Sequence, residues 1–169
     1  MNKRIKKIAF LGILTSFAMI LSYLELLLPP ISTAFPGIKM GLPNIIIIFT
    51  MYRFGIKEAI TVSFLRVVCV TFLFGSVMTF AYSALGALLS ICVMFLLKKL
   101  DLFSSVGVSV VGGISHNAGQ ILVAVLIFKA PQIAYYMIPL TISGTVAGLL
   151  VGLVASYSLK LTQKYKFSE

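Results

Sequence analysis

The sequence predicts an all-α integral membrane protein, with six transmembrane helices in a single membrane domain over residues 1–169. Three observations predict this class: an apolar composition, a series of long apolar runs, and basic residues placed between those runs. Hydrophobic residues make up 60% of the chain and charged residues 11%, and the mean hydropathy is +1.09. A soluble domain carries about 25% charged residues, and a chain of this size could not bury so much apolar surface in one core. We therefore expect lipid to be the solvent for much of the surface.

Six apolar segments have the lengths or the boundaries expected of membrane helices, which need about 20 residues to cross a bilayer. We predict helices at residues 8–28, 42–54, 57–74, 76–97, 105–128 and 133–161. Pro29 and Pro30 end the first helix, and Gly75 separates the third from the fourth. We expect the first helix to be retained, because its apolar run is too long for a signal peptide.

The basic residues predict the orientation, because Lys and Arg accumulate in cytoplasmic loops. Lys39 and Lys129 fall on one side of the predicted bundle, and Arg66 lies within a span. The opposite side holds Lys3, Arg4, Lys6, Lys7, Arg53, Lys57, Lys98, Lys99, Lys160, Lys164 and Lys166. Both termini are therefore predicted to be cytoplasmic, in a multi-pass protein of the cell membrane. This distribution also accounts for the net charge of +10 without a nucleic-acid partner.

Arg66 is an ionisable residue near the middle of the third predicted helix. Such groups are costly in a bilayer and usually face a cavity or a partner. Glu25, near the outer end of the first helix, is the acid best placed to reach it. Two interpretations stay open: an Arg66–Glu25 ion pair that stabilises the bundle, or an Arg66 that faces an anionic ligand.

His116, Asn117 and Gln120 form a polar cluster in the fifth predicted helix. His116 and Gln120 share a helix face because they are four residues apart. Hydrogen bonds between helices could explain the cluster, and a binding pocket is the alternative. A metal site is not expected, since one histidine without neighbouring carboxylates or thiols is a poor ligand set.

The segment 35–44 is a third polar feature, because its glycines permit tight turns that expose backbone groups. It contains Gly37, Lys39 and Asn44. An ordinary connecting loop is one interpretation, and part of an outer pocket is the other. The predicted substrate-binding residues are Glu25, Gly37, Lys39, Asn44, Arg66, His116, Asn117 and Gln120.

Small residues recur at helical spacing on two faces, where missing side chains let another helix approach closely. Gly144, Gly148 and Gly152 on the sixth helix are predicted to pack inside the protein. On the first helix, the stripe of Ala9, Gly12 and Ser16 is predicted either to pack internally or to contact a partner subunit.

Catalytic signatures are missing from the sequence. It has no G-x-x-x-x-G-K-[ST] phosphate loop, no nucleophile–base arrangement and no paired carboxylates. Cys69 and Cys92 lie within apolar runs and are expected to act as small hydrophobic residues. We therefore predict that the chain is not an enzyme, does not hydrolyse ATP, and binds neither a metal nor a cofactor.

Four short segments carry a family resemblance: residues 36–44 (PGIKMGLPN), 65–67 (LRV), 107–109 (GVS) and 116–120 (HNAGQ). Together they resemble the Gx transporter family, which is also labelled heptaprenyl diphosphate synthase component I. That family is similar to the substrate-binding S components of energy-coupling factor (ECF) transporters. The resemblance implies a six-helix S-component fold that captures a small micronutrient or cofactor precursor, flavin-related or isoprenoid- or quinone-related.

The resemblance also implies partners: a transmembrane coupling subunit, to which Ala9, Gly12 and Ser16 would dock, and separate ATPase subunits. The family label implies an alternative, a non-catalytic accessory subunit of heptaprenyl diphosphate synthase. Prenyl diphosphate synthesis uses aspartate-rich motifs that bind magnesium and diphosphate, and this chain has a single aspartate, Asp101. The chain would therefore not be the catalytic subunit.

Overall fold

The computed structural model describes residues 3–27 and 41–162, and within these ranges the protein is all-helical. Residues 1–2, 28–40 and 163–169 lie outside the described part. The helices are α1 Lys3–Leu27, α2 Asn44–Arg53, α3 Ile56–Phe74, α4 Val77–Leu100, α5 Ser105–Phe128 and α6 Met137–Thr162. A 3₁₀ helix, Pro131–Tyr136, precedes α6. The described part contains no strand, in agreement with the predicted helical class.

Four segments are long and apolar enough to cross a membrane: Arg4–Leu27, Val77–Leu100, Ser105–Phe128 and Pro131–Thr162. The six predicted crossings are therefore supported only in part. The helix α2 has 10 residues, which span about 15 Å, half of a hydrocarbon core of about 30 Å. The helix α3 carries Lys57, Glu58 and Arg66 in its 19 residues. Six crossings and cytoplasmic termini remain predictions.

Side-chain caps mark where α4 and α5 begin. The Ser76 hydroxyl accepts a hydrogen bond from the backbone N–H of Thr79 at 3.2 Å, and Ser104 accepts one from Gly107 at 3.2 Å. Each cap satisfies a backbone donor that the first helical turn leaves without a partner. Only Gly75 and Ser76 separate α3 from α4, so these two helices are joined by a tight turn.

Glycines bring α5 against the backbones of α4 and α6. A Cβ on Gly119 would lie 2.8 Å from the Cα of Gly86 in α4. On α6, the faces of Gly144, Gly148 and Gly152 meet α5, and a Cβ on Gly148 would lie 2.6 Å from the Cα of Val110. Because side chains would prevent this approach, the glycines make α4, α5 and α6 a closely packed unit. The glycine face of α6 is therefore covered by α5.

The short helix α2 lies at the centre of the apolar core. Its Ile47, Ile48 and Met51 are almost completely buried, and α2 contacts α1, α3 and α6. Polar contacts hold neighbouring helices at the basic end of the bundle. Lys7 of α1 forms a 2.6 Å salt bridge with Glu58 of α3. Lys98 of α4 donates a 2.6 Å hydrogen bond to the Met51 carbonyl oxygen at the end of α2.

We expect Gly148→Ala to lower the free energy of unfolding by roughly 1–3 kcal/mol, because the added methyl group meets the α5 backbone. Gly12→Ala is the matched control, since a Cβ there has nothing within 4 Å. The control is expected to stabilise α1 by up to about 1 kcal/mol. Thermal unfolding of both variants in detergent checks this pair, and equal shifts would contradict the packing described for Gly148.

The predicted orientation can be checked by cysteine labelling on a background with Cys69 and Cys92 replaced by alanine. With six crossings, Lys129→Cys faces the outside and Ser104→Cys faces the cytoplasm. An impermeant maleimide should therefore label Lys129→Cys in intact cells, and Ser104→Cys only after permeabilisation. Labelling of both positions in intact cells, or the reverse pattern, would contradict the predicted topology.

Candidate functional site

A cavity lies between the two groups of helices, α1–α3 and α4–α6. Its space amounts to about 1000 Å³ only when the open solvent at its mouth is counted. It begins at the end of the bundle where α1 and α3 end and where α2 and α4 begin, here called the mouth end. All six helices contribute to its lining. The polar lining residues include Ser22, Glu25, Asn44, Arg66, Thr71, Thr79, Ser83, Ser90, Ser109, His116, Asn117 and Gln120.

Among the described residues, Arg66 is the only Lys or Arg side chain in the lining of this cavity, and it is 9% exposed. Its Nη1 donates a long hydrogen bond of 3.4 Å to the Ser22 hydroxyl, which itself donates to the Ala18 carbonyl oxygen at 2.8 Å. Its Nε and Nη2 atoms have no hydrogen-bond partner in the described part of the chain. A buried guanidinium therefore lines the cavity with donors to spare, which suits an oxyanion.

Glu25 links the end of α1 to the start of α2, because its carboxylate accepts a hydrogen bond from the backbone N–H of Gly41. Gly41 has a positive φ of 70°, a conformation that favours glycine. Glu25 also acts on Arg66 electrostatically. The described hydrogen bond of Arg66 nevertheless goes to Ser22, so the contacts differ from a direct Arg66–Glu25 pair.

His116 and Gln120 face the cavity together from α5, and their Nε2 atoms share a hydrogen bond of 3.2 Å. Gly86 of α4 provides the space for the imidazole, because a Cβ there would lie 3.0 Å from the His116 Cε1 atom. These two side chains share a helix face, as predicted, and are hydrogen-bonded to each other. They present amide and imidazole groups to the same space as Arg66.

Asn117 has a contact that its neighbours lack. It is 5% exposed, and its side-chain nitrogen donates a 2.8 Å hydrogen bond to the Leu140 carbonyl oxygen of α6. This is the interhelical hydrogen bond that the sequence offered as the alternative to a pocket. Asn117 also lines the cavity, so both interpretations describe part of its surroundings.

The structure brings together six of the eight residues predicted to bind substrate: Glu25, Asn44, Arg66, His116, Asn117 and Gln120 all line the cavity. Gly37 and Lys39 lie outside the described residues. The stripe of Ala9, Gly12 and Ser16 lies on the exposed face of α1, away from the cavity. Gly144 and Gly148 line the cavity wall where α6 meets α5. Their roles in binding and docking remain predictions.

Ser22, Met94 and the α4 hydroxyls of Thr79 and Ser83 line the cavity but were not among the predicted site residues. Ser22 carried a usable signal, because it precedes Glu25 by three residues and so shares its helix face. Met94 carried none, since a methionine in an apolar helix has the pattern of a lipid-facing residue. Within the described ranges, no group of three His, Cys, Asp or Glu residues could hold a metal ion.

Long apolar helices around a polar, charged cavity define a helical protein of the membrane class. The chain belongs to the heptaprenyl diphosphate synthase component I family, whose model matches residues 14–159. This confirms the resemblance carried by the four sequence motifs. The family description names a component of a synthase, which agrees with the prediction that the chain is not an enzyme by itself. Comparisons with curated proteins and with solved structures return no match.

Arg66→Met is expected to raise the free energy of unfolding of the ligand-free protein by about 1–4 kcal/mol, the range for replacing buried ionic groups with apolar ones. The reason is that Arg66 is buried with two nitrogens lacking described partners. Ser22→Ala is the control and should shift stability by no more than about 1 kcal/mol. Thermal unfolding in detergent measures both. Strong destabilisation by Arg66→Met would instead favour an Arg66–Glu25 pair that holds the bundle together.

Proposed function

We propose that this chain is a membrane subunit that binds a small anionic molecule in the cavity for the benefit of separate partner subunits, as the S component of an ECF-type transporter does. The observation that carries the proposal is Arg66, buried at mid-helix with hydrogen-bond donors available in the cavity. A positive charge in an apolar bundle is costly unless an anion or a set of acceptors compensates for it. A bound anion would provide that compensation.

The neighbours of Arg66 support a binding role. His116, Gln120 and Asn44 offer donors and acceptors around the same space, so a ligand could be oriented as well as held. Such a combination, a few convergent polar groups in a largely apolar cavity, is typical of small-molecule sites. The Glu25–Gly41 hydrogen bond lies at the mouth end, where a ligand from outside the cell would enter if the predicted orientation is right.

The energy for transport would have to come from elsewhere, because the sequence lacks a phosphate loop. A transmembrane coupling subunit and two ATPases are the proposed source. The exposed face of Ala9, Gly12 and Ser16 supports a docking surface for the coupling subunit, since a Cβ on Gly12 would meet nothing within 4 Å. A partner helix could therefore approach the α1 backbone closely.

A second candidate is a non-catalytic accessory subunit of heptaprenyl diphosphate synthase. The family description supports this role more directly than it supports transport. Asp101 is the single aspartate of the chain, and it follows α4 with a left-handed backbone conformation, far along the helix from the cavity mouth. The aspartate-rich chemistry of prenyl transfer would therefore belong to another subunit, with this chain holding an isoprenoid substrate or product at the membrane.

One purification tests both candidates. The tagged chain is extracted from its host in mild detergent, and its retained small molecules and polypeptides are identified by native mass spectrometry. We expect wild-type protein to retain an anionic small molecule whose occupancy falls at least tenfold in Arg66→Gln. Cys92→Ala, at an exposed position of α4 outside the cavity lining, is the control that retains it.

The retained polypeptides distinguish the candidates. ATPase and coupling subunits would support the transporter, and a prenyl diphosphate synthase polypeptide would support the accessory subunit. If wild type and Arg66→Gln retain the same small molecules at the same occupancy, the proposal of an anion site is wrong.

A further inference from the structure

We propose that the molecule bound in this cavity carries its anionic group on a flexible aliphatic chain, with the anion at Arg66 and the chain extending toward Met94. This inference rests on the proposed function, because it takes the cavity to be a binding site. It adds the shape and chemistry of the rest of the ligand.

The cavity changes character with depth. Toward the mouth end, its lining includes Glu25, Asn44 and the His116–Gln120 pair around Arg66. The deeper lining consists largely of glycines from α5 and α6 together with Met94 and Val151. The Ser90 hydroxyl also lies there, but it donates a 2.8 Å hydrogen bond to the Gly112 carbonyl oxygen. Apart from the Ser109 hydroxyl, the deep part therefore offers mainly apolar surface, which favours an aliphatic group.

The cavity as a whole, from the mouth end to the deep part, is also elongated. Lining residues on α4 extend from Ser83 to Met94, and those on α5 extend from Gln120 to Ser109. Each pair is eleven residues apart, and at a rise of 1.5 Å per residue each distance is roughly 16 Å along the helix. The close approach of α5 to α6 at Gly148 keeps the deep part of the cavity narrow. A long, narrow space matches an extended chain better than a broad ring system.

Aromatic surface is scarce in the cavity. Phe74 contributes the one phenyl ring in the described lining, and it lies at the mouth end where α3 ends. Flat heteroaromatic ligands are commonly held between aromatic side chains that stack on them. Val67 and Val70, which lie near Arg66 on α3, give no such surface, and neither does Val151 in the deep part. An aliphatic cargo is therefore favoured over a flavin.

Met94 occupies the end of the proposed chain site. It is 2% exposed, and its Cγ and Sδ atoms would lie 2.6 Å from a Cβ on Gly112. Methionine has three rotatable bonds and adapts readily to a new neighbour. The side chain of Met94 can therefore move to admit an aliphatic chain, and its length sets how far that chain reaches.

The test is isothermal titration calorimetry of the full chain in phosphatidylcholine nanodiscs, with empty nanodiscs subtracted. The probes are ethyl, butyl and hexyl phosphate, and the carboxylates of the same chain lengths. For wild type we expect affinity to rise with chain length, up to about fourfold for each added methylene that is buried. The phosphate and carboxylate series identify which oxyanion Arg66 prefers. Arg66→Gln should lose at least tenfold with every probe.

Two variants locate the chain. Val151→Phe should fill the deep part and cancel the gain in affinity from ethyl to hexyl phosphate, and thermal unfolding in detergent reports whether this variant is folded. Met94→Ala should lengthen the deep part, so that octyl phosphate, added as a further probe for this variant, binds more tightly than hexyl phosphate.

The outcomes separate this inference from the proposed function. Equal affinity for ethyl and hexyl phosphate, with dependence on Arg66 retained, would overturn the aliphatic chain and leave the anion site in place. No Arg66-dependent binding of any phosphate or carboxylate would overturn both. In nanodiscs that also contain phosphatidylglycerol, competition between this lipid and hexyl phosphate would show that the anion site takes a lipid head group, and the inference of a single-chain ligand would be wrong.

Discussion

Glycines in α4, α5 and α6 bring three helix backbones so close together that a single added methyl group would collide with a neighbouring main chain. Gly119 meets Gly86, and Gly148 meets Val110. In lipid, where apolar side chains gain little by leaving the solvent, such contacts are a main source of helix association. This close packing defines one wall of the cavity, places His116 against α4, and leaves space on the side that faces α3.

The opposite wall has a different physical character. There α3 presents Arg66 to the cavity, with Ser22 of α1 as its described hydrogen-bond partner at 3.4 Å. A buried guanidinium with one long hydrogen bond is a poor way to stabilise a bundle, because desolvation costs more than one such contact returns. One wall of the cavity is closely packed through glycines, and the other carries a charge with few hydrogen-bond partners. This combination makes the space a candidate binding site rather than a packing defect.

Membership of the component I family and the geometry of the cavity address different questions. The family description indicates that the chain is one part of a larger assembly. The cavity indicates what this part could do within it, which is to hold a small anionic molecule inside an apolar bundle. The two proposed assemblies share this role. They differ in which polypeptides would use the bound molecule. Those polypeptides would contact the outer surface of the helices rather than the cavity.

The helical class, the approximate helix ranges and the candidate residues around Arg66 followed from the sequence, because hydropathy and charge act locally and can be summed along the chain. The sequence overestimated α2, predicted as 42–54, because apolar residues beside a turn have the same hydropathy as those in a helix. Tertiary structure alone decided that Asn117 bonds to Leu140, that Arg66 donates its described hydrogen bond to Ser22 rather than to Glu25, and that Met94 lies against Gly112. Each joins residues that are distant in sequence, and such contacts depend on how the helices rotate and pack. The membrane class is thus a property of the sequence by itself, whereas the shape of the cavity exists only in the folded chain.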